Sequence, residues 1–205
     1  MRSVSLNRHL VPVVLVTALV LGLGSVGSAG ASTRAAAAAV VNPPKTVTAT
    51  RITRRPGTLA PGSPVRAAEI TGQRIFTDAK HGFALASVPD ADYSVATTDG
   101  GKTWKTDGPA LHLHAAQAPL AVVFIGAVNR RTLFAWGAGQ VIDTTSDGGK
   151  TWYSALFSVG SPVAVVPDLQ GHLRAYVGSF SGSSAWEYVS TDGGRTWRRQ
   201  TSVGR

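Results

Sequence analysis

Cysteine is absent from the 205 residues, so the chain forms no disulfide and carries no lipidated cysteine anchor. Acidic side chains are scarce, at 11 against 20 Lys and Arg, and only Glu69 and Glu187 are glutamates. Chemistry that needs paired carboxylates therefore has few candidates. No stretch keeps an apolar period of 3.6 residues long enough to predict a helix. Together these absences exclude a disulfide scaffold and a helical domain.

The N-terminus has the features of a secretory signal. Arg2 and Arg8 precede an apolar stretch that runs from Leu10 to Leu23, and small residues follow as far as Ala31. This pattern predicts a signal peptide over residues 1–31, cleavage after Ala31 and a secreted or extracytoplasmic location. A membrane span needs about 20 apolar residues, so we expect no stable span after cleavage; a retained anchor is the alternative.

The formal net charge of +9 makes this a basic protein, which suits anionic partners in general. The basic residues are dispersed along the chain, however, and no basic helix or nucleic-acid-binding motif accompanies them. We therefore predict no nucleic-acid binding and interpret the charge as a solvated surface.

Residues 32–66 have the composition of a linker. They contain an alanine run and several Pro and Gly residues but few large apolar ones, so they bury too little surface to offset the entropy of ordering. We predict a flexible Ala/Pro-rich tether here, with one weakly alternating stretch, Thr46–Ile52, as the only candidate strand.

The rest of the chain, residues 67–205, is dominated by an internal repeat. The string from Thr97 to Trp104 recurs from Thr145 to Trp152 and from Ser190 to Trp197, with its aspartates 48 and then 45 positions apart. Short apolar strands alternate with Gly and Asp between the copies, which is typical of an all-β domain. We predict three antiparallel units of four strands, at about 67–110, 117–158 and 160–202, with the strand that enters the second turn at Val141–Thr145.

Each copy has the residues of a stabilised hairpin turn. The aspartate can accept hydrogen bonds from nearby backbone N–H groups, the glycines tolerate a positive φ, and the tryptophan begins the next strand and can pack between sheets. The predicted structural residues are Asp99, Gly101, Thr103, Trp104, Asp147, Gly149, Thr151, Trp152, Asp192, Gly194, Thr196 and Trp197.

These three strings resemble the Asp box of the BNR repeat family. The residues from Ile75 to Leu85 also resemble a blade opening in photosystem-assembly-factor-type propellers. The resemblance implies a β-propeller-type fold with three blades, which is either a partial propeller or half of a dimeric ring. It does not by itself select a function, because Asp boxes occur in sialidases, sortilin-type receptors and other glycoside hydrolases.

The sialidase interpretation meets several obstacles in this sequence. The Arg-Ile-Pro element of that family is missing, and the nearest strings begin at Arg51 and Arg74. Glu187 and Tyr188 are neighbours, but adjacent strand residues point to opposite faces, which argues against a nucleophilic Tyr–Glu pair. We therefore predict an exported, non-enzymatic module that binds a protein or glycan partner, with a sialidase-like glycoside hydrolase as the alternative.

Other candidate sites are weaker. His112 and His114 share a face of a possible strand but lack a third metal ligand, and a connecting loop is the preferred interpretation. Asp90 and Asp92 could bind a cation, but we assign them to a solvated turn. We predict no metal and no cofactor. Three strand aromatics form a candidate ligand platform: Trp136, Trp186 and Tyr188.

Three blades do not close a ring, since propellers have four to eight. Two chains could pair as a homodimer with six blades, the chain could be a shortened relative of a longer propeller, or the tether could fold back over an exposed end. We favour the first two solutions over a self-capped monomer.

Overall fold

The computed structural model describes residues 42–88, 91–111, 113, 123–179 and 184–200. Within these ranges the chain is all-β, and a single 3₁₀ turn, Ala67–Glu69, interrupts the strands. The predicted signal peptide and its cleavage point after Ala31 lie outside the described residues.

Fifteen strands form three antiparallel sheets of five strands each. Sheet 1 contains β3 (Pro64–Val65), β4 (Ile70–Phe76), β5 (Gly82–Val88), β6 (Ala91–Thr97) and β7 (Trp104–Leu111). Sheet 2 contains β2 (Thr50–Arg51), β8 (Phe124–Ala127), β9 (Leu133–Trp136), β10 (Val141–Thr145) and β11 (Tyr153–Leu156). Sheet 3 contains β1 (Thr46–Thr48), β12 (Gly160–Pro167), β13 (Leu173–Ser179), β14 (Ala185–Ser190) and β15 (Thr196–Arg199).

Four strands of each sheet are consecutive in the chain, as the repeat predicts. In sheet 2, for example, β8 pairs with β9, β9 with β10 and β10 with β11, and the predicted strand Val141–Thr145 has the bounds observed for β10. The all-β antiparallel prediction is therefore confirmed. The prediction of four strands per unit is wrong, because every sheet has a fifth.

The fifth strand comes from residues 42–66, hereafter the N-terminal segment. Its β1 pairs with β15, its β2 with β11 and its β3 with β7, so one segment extends the last strand of all three repeats. This corrects the predicted flexible tether over its described part. The composition indicated that this stretch is too polar to form a core of its own. Pairing with a sheet edge uses only backbone hydrogen bonds, so the segment is ordered without such a core.

Two apolar clusters join neighbouring sheets. Between sheets 1 and 2 the cluster contains Leu85, Leu111, Leu133 and Trp152; between sheets 2 and 3 it contains Phe134, Ile142, Phe157, Tyr188 and Trp197. Alternate residues along a strand point to opposite faces of its sheet. The strands of sheet 2 therefore contribute one set of side chains to the interface with sheet 1 and the other set to the interface with sheet 3.

A third cluster lies on the face of sheet 1 that points away from sheet 2. Val65 and Leu59 of the N-terminal segment pack there with Tyr93, Val95 and Trp104. The Leu59 backbone N–H donates to the Tyr93 hydroxyl at 3.1 Å. The segment therefore folds back over the exposed face of sheet 1. This is the third of the three solutions named above, and not one of the two that we favoured from the sequence.

Candidate functional site

The three repeated turns share one hydrogen-bond pattern. In the first, the Thr97 hydroxyl donates to Asp99 Oδ1 at 2.8 Å and accepts from the Gly101 backbone N–H at 2.9 Å. The Thr103 N–H then donates to Asp99 Oδ1 at 2.9 Å. Equivalent bonds join Thr145, Asp147, Gly149 and Thr151, and again Ser190, Asp192, Gly194 and Thr196. The aspartates are thus consumed in holding their own turns.

These bonds favour the ionised carboxylate. At Asp99 the Thr103 hydroxyl, donating at 2.6 Å, is the largest of several contacts that hold the pKa well below its usual value. At Asp147 partial burial acts in the opposite direction, but the bonds from Thr151 and Thr145 outweigh it and the pKa is again lowered. The box aspartates therefore have the character of structural anions and not of proton donors.

The second glycine of each turn allows close approach to the preceding sheet. Gly149 has a φ of +91° and Gly194 one of +88°, which is left-handed backbone. A Cβ on Gly149 would collide with the Asp107 carboxyl group of sheet 1, and one on Gly194 would collide with Thr144 of sheet 2. Two separate reasons therefore favour glycine at these positions: the left-handed backbone conformation and the lack of room for a Cβ atom.

The box tryptophans are the main side chains between the sheets. Trp152 and Trp197 are 0% exposed, and each packs against residues of the preceding sheet. No sheet precedes sheet 1 in the described part of the chain, and the N-terminal segment covers Trp104 instead through Val65, its partner in the register of β3 and β7. The indole N–H of Trp104 and that of Trp197 each donate to the carbonyl oxygen of the second box glycine, at 3.0 and 2.9 Å.

The middle turn differs at this indole. A bulge in β7 at Asp107 and Gly108 presses against Gly149 and Trp152, and the Trp152 indole nitrogen has no hydrogen-bond partner within the described ranges. The carboxyl group of the half-buried Asp107 lies beside it, with Oδ2 accepting from the Ser94 hydroxyl at 3.1 Å and a solvent-inaccessible Oδ1 that has no partner among the described residues. Burial raises the Asp107 pKa to about 7.

Sequence reasoning missed a second repeated turn, between the first two strands of each repeat. Asp78, Asn129 and Asp168 each use Oδ1 to accept two backbone N–H groups at 2.8 to 3.0 Å. The boxes dock onto these turns, since the Gly100 N–H donates to Lys80 O and the Gly148 N–H to Arg131 O, both at 2.9 Å. Only the Asx residue recurs, so the sequence signal is weak, although the 51- and 39-residue spacing could have indicated it.

The structure separates the Glu187 and Tyr188 side chains onto opposite faces of β14. Tyr188 is 0% exposed and its hydroxyl donates to the Pro44 carbonyl at 3.1 Å, while burial raises its pKa. Glu187 faces the other way and accepts from Arg174 at 2.7 Å. The two side chains thus point in opposite directions, as strand geometry predicts.

The burial of Tyr188 also removes it from the predicted ligand platform. The other two members lie in neighbouring sheets, Trp136 in sheet 2 and Trp186 in sheet 3. β9 starts beside the second box and ends at Trp136, and β14 starts next to Trp186 and ends at the third box. Both tryptophans are therefore at the ends of their sheets away from the boxes, and both pack against the edge of the same apolar cluster.

Phe124, which sequence reasoning did not single out, completes this aromatic end. Its ring stacks on Trp136 with centroids 4.8 Å apart and planes at 18°, and it remains 41% exposed. The buried Phe134 ring also stacks on Trp136, with centroids 6.0 Å apart. Exposed stacked rings are unusual on a polar surface and can bind an apolar or sugar face. No sequence pattern marks Phe124, because its exposure depends on the sheet edge it occupies.

The remaining candidates do not form sites in the described ranges. Asp92 is buried in β6 and its Oδ1 accepts from the Ser87 hydroxyl at 2.7 Å, which corrects its assignment to a solvated turn. Asp90, His112 and His114 lie outside the described residues. Among the residues that the structure covers, no group of three potential metal ligands is found, and no helix is long and apolar enough to cross a membrane.

Comparison with known proteins bears on the repeated turns. The family model described as the BNR/Asp-box repeat matches residues 95–106 and 188–199, which contain the first and third boxes. The chain carries BNR/Asp-box repeats. The middle box has the same hydrogen bonds at the same positions. No curated protein and no solved structure matches this chain.

Proposed function

We propose that this chain is an exported, non-enzymatic module of the β-propeller type that binds a protein or glycan partner outside the cytoplasm. The observation that carries the proposal is the aromatic end, where Phe124, 41% exposed, stacks on the half-buried Trp136, and Trp186 packs at the edge of the same cluster. In this interpretation the three sheets are blades, and the four repeat strands of each are supplemented by the N-terminal segment.

The chemistry of the repeats supports binding and not catalysis. The box aspartates are occupied by their own turns, Glu187 is paired with Arg174, and Tyr188 is buried. The aromatic end, in contrast, keeps part of its surface accessible, since Phe124 is 41% exposed. Its stacked rings offer flat apolar faces, which suit a sugar ring or the apolar side chain of a partner protein.

The test compares two aromatic residues of nearly equal exposure, Phe124 at 41% and Tyr176 at 39%, of which Tyr176 lies on a different face, on sheet 3. Envelope components are captured on the immobilised full chain, and N-acetylglucosamine trimers are titrated against tryptophan fluorescence. We expect Phe124→Ala to lower the amount of captured component or the affinity for the trimer at least tenfold. Tyr176→Ala should leave both quantities unchanged. Equal behaviour of the two variants would remove the aromatic end as the binding site.

The BNR match keeps a sialidase-like glycoside hydrolase as the second candidate. Purified chain would be incubated with a fluorogenic sialoside and with fluorogenic neutral sugars. Release that is lost in Glu187→Gln would support the hydrolase and count against the binding module. We expect no release above background.

A further inference from the structure

The fold collects basic charge that is dispersed in the sequence. The N-terminal segment contains five basic residues and no acidic one. It lies along β7, β11 and β15, which carry or follow the box turns. We call the N-terminal segment together with residues 97–111, 145–156 and 190–200 the basic edge.

The charge is unequally divided between this edge and the rest of the chain. Of the Lys, Arg, Asp and Glu in residues 42–200, the basic edge holds eleven basic and four acidic side chains, a formal +7. The remainder holds five basic and seven acidic side chains, a formal −2. Three of the four acidic residues on the edge hold the box turns, and the carboxyl group of the fourth, Asp107, is buried. Most cations of the edge therefore face solvent without a neutralising partner; the exceptions are Arg66, which is ion-paired with Glu69 at 2.6 Å, and Arg199, which is half-buried and donates to the Pro43 carbonyl oxygen.

A groove of about 280 Å³ concentrates this charge where the segment passes the middle box. Arg51, Arg54 and Lys150 line it, all three are exposed, and Pro61 and Pro109 form its apolar walls. None of the three cations lies within ion-pair distance of an acidic side chain in the part of the chain that the structure describes. Arg54 is held by a hydrogen bond of 3.0 Å from its guanidinium to the Thr58 carbonyl oxygen.

The cations of the box turns continue the site. The residue after the second glycine is basic in every box, as Lys102, Lys150 and Arg195. Arg195 stacks over the Tyr153 ring at 4.3 Å, and Tyr153 pairs with Arg51 in the register of β11 and β2. The positive charge therefore extends from the groove toward the third box, which suits a chain-like ligand more than a single anion.

From this geometry we infer that the basic edge is a second binding site, distinct from the aromatic end, and that it takes an acidic polysaccharide whose carboxylate or sulfate groups pair with Arg51, Arg54 and Lys150. This deepens the proposed function and rests on it for the glycan class. Guanidinium groups bind carboxylates and sulfates with directed hydrogen bonds, and the proline walls can pack against the C–H faces of sugar rings.

The geometry favours a glycan over a nucleic acid. Single-stranded nucleic acids bind through bases stacked on aromatic rings, and the Tyr153 ring beside the groove is already covered by Arg195. Duplex readout needs an element that enters a groove of the duplex, whereas this site is a set of paired strand edges.

The test uses the full chain with two triple variants of equal charge. Arg51→Gln, Arg54→Gln and Lys150→Gln remove the groove cations, and Arg74→Gln, Lys80→Gln and Arg131→Gln remove three exposed cations outside the basic edge. The probe is a polygalacturonate oligosaccharide, titrated at several salt concentrations. We expect at least a tenfold loss of affinity and a shallower salt dependence for the groove triple, and less than a twofold change for the matched triple.

Three results would overturn the inference: equal losses in both triples, no loss in either, or tighter binding of single-stranded or duplex DNA than of the polysaccharide. Vesicles with anionic headgroups serve as a further competitor, and preference for them would assign the edge to a membrane surface instead. Phe124→Ala is titrated in parallel and should retain polygalacturonate binding. Loss of the aromatic-end ligand alone would therefore affect the proposed function and not this site.

Discussion

The two ends of the row of sheets differ although they are built from the same repeat. On sheet 1, the face that points away from sheet 2 is covered by the N-terminal segment, and Tyr93 and Trp104 beneath it are each 3% exposed. On sheet 3, the corresponding far face leaves Val163 65% and Val166 43% exposed. A repeat thus determines the interior of such a domain, while a non-repeated segment decides how an end is finished.

The open face of sheet 3 is nevertheless not uniformly apolar. Arg174 bridges Glu187 at 2.7 Å and lies 3.7 Å from Asp168, and Arg198 is exposed on the neighbouring strand. Charged residues on an uncovered sheet face oppose indiscriminate association. The open end therefore uses charge where the first end uses a covering segment.

The largest expected effect concerns the interface between sheets 1 and 2, where Asp107 lies against Gly149. Asp107 and Thr144 occupy matching places, against Gly149 and Gly194, but only Asp107 ionises. Its folded pKa of about 7 lies above the value of about 4 for an unfolded Asp, so the folded state binds more protons. Stability should then fall as pH rises from about 4 to about 7, by up to about 4 kcal/mol.

Urea unfolding of the full chain at pH 5 and pH 8 measures this fall. Asp107→Asn should lose most of the pH dependence and exceed the parent in stability at pH 8. Asp168→Asn, which changes a surface turn, is the control. If the parent were equally stable at both pH values, ionising Asp107 in the folded protein would not change the free energy of unfolding, and the prediction would be wrong.

The second expected effect is loss of the cover itself. Val65→Asp places a charge against Trp104 in an apolar cluster, so we expect about 3 kcal/mol of destabilisation. The measurement is the urea midpoint, together with quenching of Trp fluorescence by acrylamide. An unchanged midpoint would mean that the covered end needs no cover.

A smaller effect is expected at the bond that fastens the segment. Tyr93→Phe removes the hydroxyl that accepts from the Leu59 N–H, which should cost about 1 kcal/mol. Hydrogen exchange should rise at Leu59 before it rises in β5. Tyr176→Phe removes an exposed hydroxyl on the open face and should change neither observable.

The smallest effect on stability is expected at the open end. Val163→Asp should change the free energy of unfolding by less than about 0.5 kcal/mol, because the side chain is mostly in water. Light scattering of parent and variant behind a sizing column also tests the predicted homodimer. A parent dimer that Val163→Asp dissociates would place the open face in the dimer interface, and a monomer in both would leave that face free.

The Asp boxes were predictable because their physics is local. A turn of eight residues contains its own donors, acceptors and left-handed glycines, so the string from Thr97 to Trp104 predicts the hydrogen bonds of its aspartate and hydroxyl groups, while the indole bond depends on the neighbouring sheet. Strand positions followed from the same spacing, as the bounds of Val141–Thr145 show. The Asx turns at Asp78, Asn129 and Asp168 were missed because a single recurring residue is too little signal.

The candidate binding residues were only partly predictable. Trp136 and Trp186 were selected as strand aromatics outside the boxes, and Tyr188 was selected on the same ground. Tyr188 is buried, however, and its hydroxyl donates to the Pro44 carbonyl oxygen of the N-terminal segment. Phe124 was not selected although it is the exposed member of the stack. Exposure of a strand residue depends on what covers its face, which the strand's own sequence does not contain.

The sequence by itself determined the all-β class, the three box turns and the order of the strands within each repeat, because these depend on contacts between residues near one another in the chain. Only the tertiary structure decided the course of the N-terminal segment and the gathering of its arginines beside the box lysines. Those arrangements depend on backbone groups of β7, β11 and β15 that are left unpaired until the sheets exist, and hydrogen bonding to such an edge places few demands on side chains.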